Sequence, residues 1–177
     1  MLTIRPARSA EAEMLTRIGM AAWEAAIVNW GEDIDRLRAN AEAAYANFCG
    51  RSWPDILVGD WDGEPAGWGA SENADDLITD LWVLPAFQGR GIGTGLLVEL
   101  EQTIGARGYA QARLETHARN VRAIRLYKEL GYHVRAYVVA YSDSLDTDID
   151  KVEMIKPLGD AAMEAEAVVA DDGLYGF

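Results

Sequence analysis

The chain has 177 residues, 50% of them hydrophobic and 25% charged, with 29 acidic against 16 basic side chains and a formal charge of −13. That size suits one domain around one core. The negative balance excludes a general attraction for nucleic acid or an anionic membrane surface, and the single cysteine, Cys49, excludes an internal disulfide.

Only His117 and His133 are available as partners, which argues against a cysteine nucleophile and against a zinc site. Arg5, Arg8, Glu11 and Glu13 interrupt the N-terminal segment, so it lacks the apolar run of a secretory signal. The longest apolar stretch, Ile18 to Trp30, contains Gly19, Glu24 and Asn29 and is too short and polar to cross a bilayer. The expectation is a cytoplasmic protein.

Leu2 to Arg5 reads as a first strand stopped by Pro6. Ser9 is placed to cap a helix with Glu11 and Glu13 in its first turn, and Met14, Ile18, Ala22 and Ala25 recur at helical spacing. A second helix is predicted from about Asp33 to Phe48, with Ile34, Leu37, Ala41 and Tyr45 on one stripe. Ile56 to Trp61 and Ala66 to Ser71 form strands around the hairpin signal Asp62-Gly63. After a turn over Asn73 to Asp76, Leu77 to Val83 reads as one longer strand ended by Pro85.

A glycine-rich loop leads into a helix from about Gly93 to Arg107, closed by Gly108. Ala112 to Thr116 is a strand, and Asn120 opens a helix that ends at Gly131. Val134 to Tyr141 is a strand, Ser142 to Asp150 a polar loop, and Val152 to Ile155 a last strand. This gives seven strands in the order β, α, α, β, β, β, α, β, α, β, β. Residues 1–158 read as one domain and 159–177 as an acidic tail.

The chemistry concentrates at Gln88-Gly89-Arg90-Gly91-Ile92-Gly93-Thr94, between a strand and a helix. A helix N-terminus offers unpaired N–H groups and a positive dipole end, so such a loop is an anion site. A dinucleotide-binding fingerprint needs glycines at relative positions 1, 3 and 6. Counting from Gly89 or Gly91 puts Thr94 or Leu96 at the sixth. The Gly-Lys-Ser/Thr of a P-loop is also missing.

What remains, Gln88-x-x-Gly91-x-Gly93, resembles motif A of the GNAT superfamily of N-acetyltransferases. Leu81-x-Val83-x-Pro85 is similar to that family's fourth strand. Asn120-x-x-Ala123-x-x-Leu126-Tyr127-x-x-x-Gly131-Tyr132 resembles its motif B. The likeness runs from about Leu2 to Leu158.

The resemblance implies a mixed α/β fold, with a mostly antiparallel central sheet of about seven strands flanked by helices and splayed between strands 4 and 5. It implies acetyl-coenzyme A as donor, with the pantetheine arm along Leu81, Trp82 and Val83 and the pyrophosphate on the amides from Gln88 through Gly89, Arg90, Gly91, Ile92, Gly93 and Thr94. Arg90 is either a phosphate contact or a solvated loop residue. Asn120 is a cofactor contact, a helix cap, or both. Tyr127 takes the place of the family's general acid.

The acceptor of such an enzyme is a primary amine on a small molecule or a protein. A carboxylate base is useful because amines are protonated at neutral pH. Asp80 is the first candidate, since an acid in an apolar strand requires a reason. Glu115 is the second, on a strand face with Arg113 and His117, and His117 is a further candidate base. The resemblance puts the acceptor near Trp23, Trp30, Glu32 and Asp33 and near Asp143, Asp146, Asp148 and Asp150, an aromatic and acidic set suited to a cation. Two further expectations are a homodimer through the late strands and, as the alternative to catalysis, a non-catalytic acyl-coenzyme A sensor.

Overall fold

The computed structural model describes residues 1–28, 30 and 33–159. The expectations for Glu32 and for the tail beyond Gly159 lie outside them. In chain order the elements are β1 (Leu2–Pro6), α1 (Ala12–Ile27), α2 (Ile34–Arg51), β2 (Ile56–Trp61), β3 (Glu64–Ala70), β4 (Leu77–Ile78), β5 (Asp80–Val83), α3 (Ile92–Ala106), β6 (Gln111–His117), α4 (Val121–Glu129), β7 (His133–Ser142) and β8 (Thr147–Pro157). No described helix is long and apolar enough to cross a membrane.

The stretch expected as one strand over Leu77–Val83 is two strands in two sheets. Leu77 and Ile78 pair parallel with Arg113 and Leu114 of β6. Asp80 to Val83 pair antiparallel with Ala70 to Gly67 of β3. Thr79 is the crossover: its N–H and its Oγ1 both bond Ala70 O, at 2.9 and 3.3 Å. One sheet therefore runs β1-β2-β3-β5 and the other β4-β6-β8-β7. Beyond Thr79, β5 and β6 are in different sheets, and a split opens between them. Leu77–Val83 contains no glycine or proline to mark a break, so the sequence alone makes a single strand of it.

Two more elements differ from expectation. Ser9 does not cap α1. Ser9–Glu11 is a 3₁₀ turn, and Glu11 accepts the Arg8 N–H at 2.8 Å while it pairs with Arg5 at 2.8 Å. Arg5 also holds Asp60 at 2.6 Å, so this cluster ties the start of α1 to β1 and β2 and delays the helix to Ala12. The polar loop over Ser142–Asp150 shrinks to a turn, and β8 begins at Thr147. The long β7 offers those polar residues backbone partners, with Asp148 and Asp150 turned to solvent and Ile149 packed inward.

Other local signals act where expected. Asp62 and Gly63 take positive φ in the β2–β3 hairpin. Asp33 caps α2 by accepting from Arg36 N at 3.1 Å. Asn120 caps α4 by accepting from Ala123 N at 3.2 Å.

Helices α1 and α2 cover one face with Leu15, Ile18, Trp23, Leu37 and Tyr45, and α3 covers the other with Leu97, Leu100 and Ile104. The α3 helix lies close on β1 because Gly95 has no side chain; a Cβ there would sit 2.8 Å from Leu2 Cδ2. Trp68 of β3 is fully buried, stacks on Phe48 at 5.7 Å and donates its Nε1–H to Leu15 O at 2.9 Å. Its truncation removes the largest buried side chain between sheet and helices. Trp68→Ala is expected to cost about 3–5 kcal/mol in urea unfolding; a loss below about 1 kcal/mol would refute this placement of the core.

Candidate active site

The split between β5 and β6 is occupied by two hollows. The larger is a cleft of about 1240 Å³ bounded by β5, the loop into α3, and α4. The smaller, about 380 Å³, lies between α1, α2, β6 and the β7–β8 turn. Both are lined by Ala26, Trp30, Trp82 and Asn120, so they meet across the split.

The glycine loop forms one end of the cleft. Gly89 and Gly91 have φ of 78° and 80°, the left-handed region that a side chain resists. Gly91 is the N-cap of α3, and the helix begins at Ile92, one residue earlier than expected. The amides of this turn stand at a helix N-terminus, which favours an anion. The Gln88 side chain fixes the turn, donating to Val83 O at 3.2 Å and accepting from Arg122 at 2.5 Å.

Leu81, Trp82, Val83, Gln88, Gly89, Gly91, Ile92, Gly93, Thr94, Asn120 and Tyr127, all singled out in the sequence, line this cleft. Arg90 is the exception. Its guanidinium lies over Trp61 at 5.5 Å and Phe87 at 5.2 Å, and its side chain does not reach the cleft wall. Three other arginines do: Arg119, Arg122 and Arg125, against one acid, Glu129. In a chain of charge −13 this is a local reversal of sign, and it suits a polyanion. Sequence reasoning passed over them, although Arg122 and Arg125 are three apart on α4 and so share a helix face, with Arg119 just ahead of the Asn120 cap.

Tyr127 is buried against Tyr132, and its hydroxyl makes no hydrogen bond among the described residues. Burial, and then the charge of Asp80, push its pKa up to about 12. Asp80 lies on the smaller hollow, half-buried, accepting from Trp82 Nε1 at 2.8 Å. Burial pushes its carboxyl up to about 6; the bonds from Trp82 and Thr79 oppose this, and the Glu72 charge adds to it. Tyr127 lines the larger hollow and Asp80 the smaller.

Glu115 also lines the smaller hollow but is exposed and pairs with Lys151 at 3.4 Å. Its expected neighbour Arg113 instead bonds Asp76 at 2.7 Å and Glu153 at 3.5 Å. His117 stacks on Trp30 at 4.3 Å and accepts Arg119 N–H on Nδ1 at 3.0 Å. Arg119 in turn donates to Trp30 O at 2.7 Å, which bridges the split. Asn120 spends its side chain on the α4 cap and on Thr116 Oγ1 at 3.3 Å.

Of the residues expected around an acceptor, Trp23, Trp30 and Asp143 line the smaller hollow, whereas Asp33, Asp146, Asp148 and Asp150 do not. Asp33 is the α2 cap, and the other three belong to the solvent side of the hairpin. Tyr45, Phe48 and Glu72 are lining residues that the sequence did not single out. Their contribution arises from packing of α2 and of the β3–β4 turn, which leaves no local signal.

Among solved structures, the chain is similar to a GCN5-related N-acetyltransferase of Rhodopseudomonas palustris, with a TM-score of 0.76 and 25% identity over 88% of this chain and 95% of that one. It is similar to the PaiA N-acetyltransferase of Thermoplasma acidophilum, solved with coenzyme A, at 0.71 and 21% over 89% and 99%. It is also similar to YncA of Salmonella typhimurium, solved with its cofactor acetyl-CoA, at 0.61 and 26% over 90% and 95%. No curated protein matches the chain. Residues 17–132, from α1 through α4 to Tyr132, match the acetyltransferase (GNAT) family, and the chain belongs to that family.

Proposed function

We propose that the chain is an N-acetyltransferase that moves an acetyl group from acetyl-coenzyme A directly to a primary amine. The observation that carries this reading is the pair of hollows of opposite charge meeting across the β5–β6 split. The larger fits the donor. Its glycine turn offers amides to a pyrophosphate, Arg119, Arg122 and Arg125 offer charge to phosphates, and β5 offers backbone to an extended amide arm. Acetyl-coenzyme A supplies an activated acyl group as a thioester.

This chain's residues supply position and proton traffic. Asp80 takes the proton of the incoming ammonium, directly or through water, since a carboxyl near 6 is ionised at neutral pH yet basic enough to accept it. The amine nitrogen then forms the C–N bond as the C–S bond breaks. Tyr127 stays protonated at every working pH and gives its proton to the departing sulfur, and the second proton that the nitrogen sheds on becoming an amide returns to the Tyr127 oxygen through water. Glu115, tied to Lys151, is assigned a place in the acceptor wall rather than the base role.

Acetyl-coenzyme A is expected to raise the melting temperature, and free thiol is expected to appear when an accepted amine is added. Tyr127→Phe is expected to lower kcat about a hundredfold with little change in the dissociation constant of acetyl-coenzyme A. Binding without thiol release from any amine would turn the reading toward a sensor. Unchanged kcat in the variant would remove Tyr127 from the acid role.

Asp80 sets a second test. Its ionised form is the active base, so wild-type turnover is expected to rise as pH passes through about 6. Its raised pKa means that its contribution to stability is complete below the ordinary value of 3.8 and is lost as pH rises through about 6. Asp80→Asn is therefore expected to lose turnover while melting higher than wild type near pH ~8, the gap closing in acid. A variant that melts lower at every pH would contradict the burial argument.

We also propose self-association through β7. It is an edge strand, and Tyr137 and Val139 stand 75% and 69% exposed on it. An unblunted apolar edge invites strand pairing. Sedimentation is expected to give a dimer that Val139→Lys dissociates; a wild-type monomer at high concentration would end this proposal.

A further inference from the structure

We propose that the acceptor is a small amine bearing a second ammonium group, a diamine or oligoamine, and that Glu72 holds the second cation. This rests on the acetyltransferase reading and narrows it. The acceptor hollow is lined by four carboxylates, Glu72, Asp80, Glu115 and Asp143, against one cation, Lys151. Lys151 is taken by Glu115 at 3.4 Å. Among the described residues, Glu72, Asp80 and Asp143 make no ion pair. Glu72 receives only a long bond from Ser52 Oγ at 3.4 Å.

Glu72 and Asp80 interact through their like charges, and both lie in a hollow walled by Trp23, Trp30, Tyr45, Phe48 and Trp82. Asp80 loses hydration in this partly dry aromatic wall and is opposed by the Glu72 charge. Two ammonium groups on one short chain would relieve both at once, and the ring faces would receive the alkyl and cationic parts between them. A substrate carboxylate would meet the same wall as a repulsion, which disfavours amino acids. A second observation marks the place as one that takes a ligand: Trp23, 2% exposed on this wall, has its Nε1–H buried with no partner. A diamine brings no oxygen acceptor, so the group that would satisfy this donor is a water carried in with the substrate.

The roof limits size. The turn between β7 and β8 lies on α2, with Leu145 buried at 4% exposure and Asn40 Nδ2 donating to Asp143 O at 2.5 Å. Ser142, Asp143, Ser144 and Leu145 all face the hollow. With about 380 Å³ beneath them, there is room for a small body rather than a folded polypeptide end.

The test compares four acceptors at saturating acetyl-coenzyme A by thiol release: a straight-chain diamine, the monoamine and the ω-amino acid of the same length, and a short peptide with a free N-terminus. The diamine is expected to exceed the monoamine in kcat/KM by about tenfold or more, with the ω-amino acid slowest. Glu72→Gln is expected to shrink the diamine-to-monoamine ratio through KM, and Glu72→Asp to retain part of it. A preference for the ω-amino acid or the peptide, a diamine no better than the monoamine, or a ratio unmoved by Glu72→Gln would each overturn the inference. If acetyl-coenzyme A fails to raise the melting temperature, the acetyltransferase reading itself fails. If it binds and the acceptor order is wrong, only the diamine inference does.

Discussion

The whole site depends on one backbone event, the change of hydrogen-bond partner at Thr79. A strand has two edges, and in a continuous sheet both are used. Here Leu77 and Ile78 spend their bonds on β6, while Asp80 to Val83 spend theirs on β3. The inner edge of β5 is thereby left without a strand neighbour, and all four of its residues are half-buried. That unpaired edge is a cost in an isolated fold, and it is also what lets an extended amide chain enter as if it were the missing strand. The two bonds from Thr79 to Ala70 O hold the crossover in place, so the split is a built feature of the chain.

Charge is divided across that split. One side gathers Arg119, Arg122 and Arg125, and the other gathers Glu72, Asp80, Glu115 and Asp143. A single patch of either sign would attract one substrate and repel the other. With both signs present and joined at Trp82 and Asn120, an anionic donor and the proposed cationic acceptor would each be drawn to their own side and brought head to head. The strongly acidic balance of the whole chain makes the arginine side the informative one, because it runs against the composition.

The parts of the site that were legible in the sequence are those made by local rules. Gly89 and Gly91 are where the backbone needs positive φ, Asn120 is where α4 needs a cap, and Asp62-Gly63 is where a hairpin needs a tight turn; each is decided within a few residues of itself. Asp80 was legible because a carboxylate in an apolar strand conflicts with its surroundings. The strand break at Thr79 was not, since no glycine or proline marks it and only the pairing partner changes. Glu72, Tyr45 and Phe48 were also not legible. They reach the hollow because α2 packs on Trp68 and because β3 turns where it does, and neither contact has a short-range signature. Of the hairpin acids that the resemblance placed near the acceptor, Asp143 lines the hollow, whereas Asp148 and Asp150 do not, because a strand with an available partner sends alternate residues to solvent.

The environment also sorts the two proton-handling groups. Asp80 and Tyr127 are both pushed upward by burial, yet the consequences are opposed. A carboxyl raised from its usual range to about 6 moves toward neutrality and becomes a usable base. A phenol raised to about 12 moves away from neutrality and stays a proton source. An ionised Asp80 also makes ionisation of Tyr127 harder. In the proposed mechanism the Asp80 charge would hold the phenol protonated until the amine's proton neutralises it, after which Tyr127 is freer to release its own proton to sulfur. On this argument the pair is assigned by the shared electrostatics of the split, and exchanging the roles would require Tyr127 to ionise beside a carboxylate in a buried site.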